Sequence, residues 1–275
     1  MPSIRVALLQ LNLTQGVEAS LGLTEVLLSE AQNQGSDLVL FPELFPHPWF
    51  PTEEDSRHFA LAQAIPGILS QHMAALARRF QTTLVVPLYE DNGSRRYNTT
   101  IVISDHGDIL FRYQKNHIPY HPGWFEKYYY DPGTLGFPVF HFRGATIGIQ
   151  TCWDNLFPEG TRLLALQGAD IVLAPRGTGN ASLHRWRTQL AGNALANNLF
   201  VVSVNRIGLE GGQWMFGGDS FAVGPDGNMI DALSGDNEVR TVELDLGQVM
   251  ETRREWPFFY DRRPELYQRL VNRRP

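Results

Sequence analysis

Cysteine is almost absent from this chain of 275 residues, with Cys152 the only one. No internal disulfide can form, which fits a reducing, cytoplasmic compartment. Long apolar runs are missing too, none nearing the roughly 20 residues that cross a bilayer. Met1-Pro2-Ser3-Ile4-Arg5-Val6 leads straight into a strand-like run without a secretory apolar region, so no membrane is expected as a partner. Basic charge is in deficit, with 23 Lys and Arg against 29 Asp and Glu for a formal net charge of −6. That argues against a nucleic-acid partner, which calls for a basic stripe. Arginines do gather at the end, at Arg253, Arg254, Arg262, Arg263, Arg269, Arg273 and Arg274. Mixed with Trp256, Phe258, Phe259 and Tyr260, they read as a packed tail or a subunit contact. No His/Cys/Asp cluster has metal-ligand spacing, and Gly177-Thr178-Gly179 lacks the Lys and Ser/Thr of a phosphate loop.

What is present is globular, with 43% hydrophobic and 19% charged residues, a balance that disordered chains do not have. Ile4–Leu11 reads as a buried strand, 17–34 as a helix ended by Gly35, and Asp37–Phe41 as a second strand stopped by Pro42. Strand, helix, strand in that order favours parallel pairing. A helix over Leu69–Phe80, a strand over Leu84–Leu88 and a hairpin of Thr99–Ser104 with Ile109–Tyr113 follow. After a polar, aromatic loop from Asn116 to Gly136 the theme repeats. Strands are expected at Val139–Phe142, Ala145–Thr151, Ile171–Ala174 and Phe200–Val204, with helices at Glu159–Gln167 and His184–Asn197. Two further strands, Phe221–Val223 and Val239–Leu244, flank the turn Gly224–Gly227. The expectation is one α/β domain of two similar halves, sheets packed together and helices outside.

In such folds the site lies at the carboxyl ends of the strands. Three reactive side chains stand there: Glu43 past the second strand, Lys115 past Ile109–Tyr113, and Cys152 past Ile147–Gln150. Each alone has a plain reading: a turn glutamate, a solvated lysine, a small buried hydrophobe. Their coincidence points to chemistry. A cysteine near its free pKa of about 8.5 is mostly thiol at neutral pH, so attack on a carbonyl needs a base. No histidine lies close to Cys152 in sequence. A buried carboxylate can serve instead, because desolvation disfavours its charged form, and Glu43 is the one available. Lys115 and the Trp153 amide would stabilise the oxyanion. The result is two-step covalent catalysis through a thioester.

Phe41-Pro42-Glu43-Leu44, Tyr113-Gln114-Lys115-Asn116-His117-Ile118-Pro119 and Cys152-Trp153-Asp154-Asn155-Leu156-Phe157-Pro158-Glu159 resemble the three signature blocks of the nitrilase superfamily. Tyr97-Asn98-Thr99, Gly168-Ala169-Asp170, Gly217–Phe221 and the tail Arg253–Phe258 extend the resemblance over nearly the full chain. Pro122–Tyr129, Cys152-Trp153-Asp154 and that tail are most similar to the N-carbamoylputrescine amidase branch. The resemblance implies a four-layer α-β-β-α sandwich and a homodimer or higher homo-oligomer, with residues 250–275 reaching the partner subunit. It implies Glu43 as general base, Lys115 as oxyanion stabiliser, Cys152 as nucleophile and Glu126 as the glutamate that orients Lys115. No metal or organic cofactor is implied. The reaction expected is hydrolysis of a small-molecule amide or carbamoyl amine with loss of ammonia. A nitrile substrate is the alternative, and a catalytically silent binding protein of the same fold is the reading from outside enzymology.

Candidate substrate contacts are Trp153, His117, Trp124, Tyr128 and Arg176. His117 could instead be a structural loop histidine and Arg176 a structural or surface arginine. His121, Tyr129 and Tyr130 join Trp124 and Tyr128 as an aromatic wall or a subunit contact, and Asp154 is a helix cap or a support for the site. The loop Pro175–Ser182 is shorter than in the branch's polyamine carbamoylases and has no carboxylate, which weakens recognition of a cationic amine. Asn155 and Leu156 stand where carbamoyl-amino-acid hydrolases present arginines, which weakens that reading too.

Overall fold

A computed structural model describes residues 3–271; Met1, Pro2, Arg273 and Arg274 lie outside the described residues. The first half runs β1 (Ser3–Gln10), α1 (Val17–Asn33), β2 (Leu38–Leu40), α2 (Ile68–Phe80), β3 (Thr83–Asp91), β4 (Arg96–Ile103) and β5 (Ile109–Gln114). A short helix α3 (Glu126–Tyr129) sits in the long loop that follows. The second half comprises β6 (Val139–Phe142), β7 (Ala145–Ile149), α4 (Pro158–Leu166), β8 (Ile171–Pro175), α5 (Leu183–Asn197) and β9 (Phe200–Val204). Then come β10 (Ile207–Glu210), β11 (Trp214–Gly217), β12 (Phe221–Val223), β13 (Met229–Ala232), β14 (Glu238–Asp245) and α6 (Leu246–Glu255).

Two six-stranded sheets form, ordered β14-β1-β2-β3-β4-β5 and β6-β7-β8-β9-β12-β13. Read that way, both share one pattern. An antiparallel first strand is followed by a parallel trio and then two more antiparallel strands. The halves are therefore alike in topology as well as in sequence rhythm. Each central strand is apolar on both faces because both faces are covered. In β1, Ile4, Val6 and Leu8 point into the core between the sheets, where Ile147, Ile149, Leu173 and Val202 meet them. Ala7 and Leu9 point the other way, against Leu27, Leu28 and Ala31 of α1 and Met73 and Ala77 of α2. On the far side, Val172, Ala174 and Val201 pack on Leu164 of α4 and Leu190 and Ala194 of α5. The layers run α-β-β-α, as expected.

One expectation needs correction. The turn at Gly224–Gly227 does not lead into Val239–Leu244; it joins β12 to β13, a strand the sequence reading did not contain. Val239–Leu244 lies in β14, which crosses to the first sheet and pairs antiparallel with β1, Ile4 opposite Leu244. The physical reason is the free edge of β1. Val242 and Leu244 extend the core between the sheets, while Val239 joins the helix-covered face. The first half thus takes its edge strand from the far end of the chain. The ribbon β10–β11 was also unforeseen, its short strands interrupted by glycines.

Candidate active site

Glu43 stands three residues beyond β2, on a loop that buries its own anchors. The Arg206 guanidinium donates to the Glu43 carbonyl at 3.1 Å and to the His47 carbonyl at 2.7 Å. It pairs with Glu210 at 2.7 and 2.8 Å and lies over the rings of Trp49 and Phe216. Glu210 in turn accepts the Trp49 amide. Burial and the Arg206 charge hold His47 down to about 4, so it stays neutral. Loop and ribbon are locked together by charge.

Lys115 is the first residue past β5, tied in register by its amide to the Asn98 carbonyl at 2.9 Å. Its ammonium donates to Glu43 Oε1 at 2.8 Å and to Glu126 Oε2 at 2.6 Å, all three side chains being shut off from solvent. Glu43 Oε1 also accepts from Asn98 Nδ2 at 2.8 Å, and Oε2 from the Gly177 amide at 2.8 Å. Both oxygens of Glu43 are therefore held by fixed donors. Glu126, at the start of α3, leaves Oε1 buried with no partner among the described residues.

Cys152 follows β7 at φ +46°, a left-handed conformation that costs a non-glycine residue on the order of 1–3 kcal/mol. The turn is braced from beneath. Asn155 Nδ2 donates to the Gln150 and Cys152 carbonyls at 2.9 and 3.0 Å, and Asn193 donates to the Asn155 carbonyl at 2.9 Å. The thiol points at the Gly177 carbonyl, 4.0 Å away. One residue, Gly177, therefore touches Glu43 through its amide and Cys152 through its carbonyl. A Cβ at Gly177 would fall 2.5 Å from the Trp49 ring, so the close approach requires glycine.

Burial dominates the proton affinities. It pushes Glu126 up to about 8, with Lys115 opposing and Glu43 reinforcing. Burial disfavours the Lys115 charge, but Glu126 and Glu43 outweigh it and the ammonium is held well above the ordinary lysine range. Burial and the Glu43 charge push the Cys152 thiol well up, against the pull of Lys115.

Cys152 lies at a cavity of about 580 Å³ that Trp124, Trp153, Trp186 and Trp214 also line. Two of the residues expected as contacts, Trp153 and Trp124, line it together with His121. The other three lie elsewhere. His117 is bound to Asp154 at 2.8 Å and stacked on Phe157 at 3.8 Å, outside the cavity lining. Tyr128 stacks on Phe59 and is not among the residues that line the cavity. Arg176 has no exposed surface, donating to Ser203 Oγ at 2.9 Å, to Thr178 and to the Asp219 carbonyl. It braces the loop from behind and cannot reach a ligand. Asp154 accepts from Tyr113 at 2.5 Å and from the His117 amide at 2.8 Å, tying the Lys115 strand to the Cys152 turn. Sequence reasoning missed Asn98, Gly177 and Arg206 as site supports. Only Asn98 left a signal, because Thr99 pairs with Gln114 across the hairpin and its neighbour must then face Lys115.

Residues 5–254 match the family model described as carbon-nitrogen hydrolase. The chain belongs to that family. Among relatives of this carbon-nitrogen hydrolase, an N-carbamoylputrescine amidase from Solanum lycopersicum is 35% identical over 98% of this chain and 95% of its own. A carbon-nitrogen hydrolase structure from Helicobacter pylori G27 superposes with a TM-score of 0.95 at 31% identity, covering 100% of both chains. An amidase variant from Nesterenkonia sp. AN1 matches with a TM-score of 0.83 at 28% identity, over 98% of this chain and 97% of that one. That structure carries the acetamide moiety of fluoroacetamide covalently on its active-site cysteine.

Because the hydrolase has one cysteine, any thiolate absorbance belongs to Cys152. The ultraviolet thiolate signal, taken as the difference between wild type and Cys152→Ala, should stay flat at neutral pH and rise only at more alkaline pH than for a free thiol, the direction burial gives it. A thiolate already present at neutral pH would contradict this geometry.

Proposed function

We propose that the enzyme hydrolyses a linear amide or an N-carbamoyl amine through a thioester on Cys152. The observation that carries the reading is the buried Lys115 ammonium bonded to both Glu43 and Glu126, with Gly177 touching Glu43 through its amide and the thiol through its carbonyl. When substrate docks, Glu43 takes the Sγ proton as sulfur bonds to the carbonyl carbon and the C=O electrons move to oxygen. Lys115 Nζ and the Trp153 amide meet that oxyanion in a site shut off from water, where such donors are worth most. The tetrahedral species collapses, the C–N bond breaks, and Glu43 returns its proton to the departing ammonia. Glu43 then deprotonates a water that attacks the thioester, freeing the thiol and an acid. For a carbamoyl substrate that acid is a carbamate, which falls to carbon dioxide and the amine. Glu126 keeps Lys115 aimed and offers its free Oε1 to the substrate amide or the water.

The chain is read as one domain whose segment 250–275 contacts a partner copy. Trp256 and Tyr260 are exposed at 67% and 91%, too much apolar ring surface to leave in water. The carbamoylputrescine-processing relative supports the carbamoyl option, and cytoplasmic residence fits the lone, reduced cysteine.

Ammonia release should appear on amides or carbamoyl amines and vanish in Cys152→Ala, with a loss of at least about a thousandfold, as expected for removing a nucleophile. Turnover of nitriles alone would replace the amidase reading, and full activity without Cys152 would end it. Light scattering should show a dimer or larger; a monomer at micromolar concentration would contradict the proposed tail contact.

A further inference from the structure

The catalytic groups leave the outer part of the cavity without a role. Its walls are the four tryptophans already named, with Trp124 and Trp214 packed edge to face at 4.6 Å. The cavity does not end at the tryptophans. Leu156 and Arg185 also line an adjoining depression of about 430 Å³ that runs along the first turns of α5 past His184, Thr188 and Gln189. No aspartate or glutamate lines either depression. Besides Cys152, their titratable groups are Arg185, His121 and His184. In a chain of net charge −6, this passage is locally basic.

Arg185 is also uncommitted. Two residues on, Arg187 is held by Asp219, whereas Arg185 sits exposed at the junction of the two depressions and forms no salt bridge among the described residues. A guanidinium presents a planar fork of donors that matches a carboxylate at two points. Tryptophan faces alone would also attract a cation, but a fixed positive charge at the junction, with no carboxylate to offset it, opposes an ammonium there.

We infer that the substrate has an apolar body and a terminal carboxylate, as in an ω-ureido or ω-amido acid with a hydrocarbon chain or ring between its ends. The reacting amide lies at Cys152, the body between the tryptophans, and the carboxylate at Arg185. This rests on the amidohydrolase reading above and deepens it, assigning Arg185 as the residue that sets specificity. A polyamine derivative is the wrong charge for this passage.

Three N-carbamoyl compounds matched in length and ending in carboxylate, methyl or ammonium test the inference. Calorimetric binding to the full-length Cys152→Ala protein needs no turnover, so its result stands apart from the ammonia assay that tests the reaction itself. The carboxylate compound should bind most tightly and the ammonium compound least. In Cys152→Ala/Arg185→Ala the preference for carboxylate over methyl should shrink about tenfold, the scale of a charge-assisted hydrogen-bond pair. In Cys152→Ala/Arg185→Glu the carboxylate and ammonium compounds should exchange rank. Tightest binding of the ammonium compound to the parent protein, or a ranking that neither Arg185 substitution moves, would overturn the assignment. Turnover by wild type should follow the same order in KM.

Discussion

The site depends on one buried ammonium. Lys115 lies between Glu43 and Glu126 with all three side chains out of solvent, and removing a partner from such a group strands charge where water cannot reach it. That typically costs about 3–5 kcal/mol, a large share of a domain's net stability of about 5–15 kcal/mol. The sheet cannot rearrange cheaply while this group is intact. It joins the end of β5 and the start of α3 to the loop after β2, with Lys115 and Glu43 standing 72 apart in sequence number. The second buried pair, Arg206 with Glu210, extends the same logic outward. It ties the Glu43 loop to the β10–β11 ribbon that carries Trp214. Chemistry and fold are held by the same ions.

Around this group the backbone is arranged to bring three functions onto few atoms. Cys152 accepts a left-handed φ so that its sulfur leaves the strand direction, and Asn155 and Asn193 hold that turn in place. Asp154, the next residue but one, reaches back to Tyr113 and His117, so the nucleophile's turn and the lysine's strand move as one body. Gly177 closes the circuit, its amide on Glu43 and its carbonyl facing the Cys152 thiol. The raised proton affinities follow from this enclosure. A thiol kept protonated at rest is protected from adventitious reaction, and the fixed donors on Glu43 need no reorganisation when the proton moves.

Much of this was legible in the sequence because strand ends are. Phe41-Pro42-Glu43 and Thr151-Cys152-Trp153 follow unmistakable apolar runs, each past a strand of the parallel trio in its own sheet. The two similar halves were readable from the repeated rhythm, and the family from the three blocks around Glu43, Lys115 and Cys152. What was not legible depended on long-range pairing. Val239–Leu244 has the alternation of a strand, yet nothing local says it will cross to β1. Arg176 and Tyr128 have polar tips near the site in sequence, but the register of β8 against β9 turns Arg176 inward onto Ser203, and Phe59 captures Tyr128. Trp186 and Trp214 enter the cavity wall from a helix and a ribbon whose placement only the assembled sheets determine.

The measurement that bears most directly on the buried-ion account is the pH dependence of unfolding in Lys115→Met. Methionine fills similar volume without charge and leaves two carboxyl groups enclosed with no counterion. Such groups hold protons more tightly when folded than when unfolded, so their penalty grows as pH rises and they ionise. Denaturant unfolding should show Lys115→Met weaker than wild type by about 3–5 kcal/mol at pH 8, with much of the deficit recovered at pH 5. A variant equally stable at both values, and as stable as wild type, would contradict the claim that Lys115 is the charge on which this site is built.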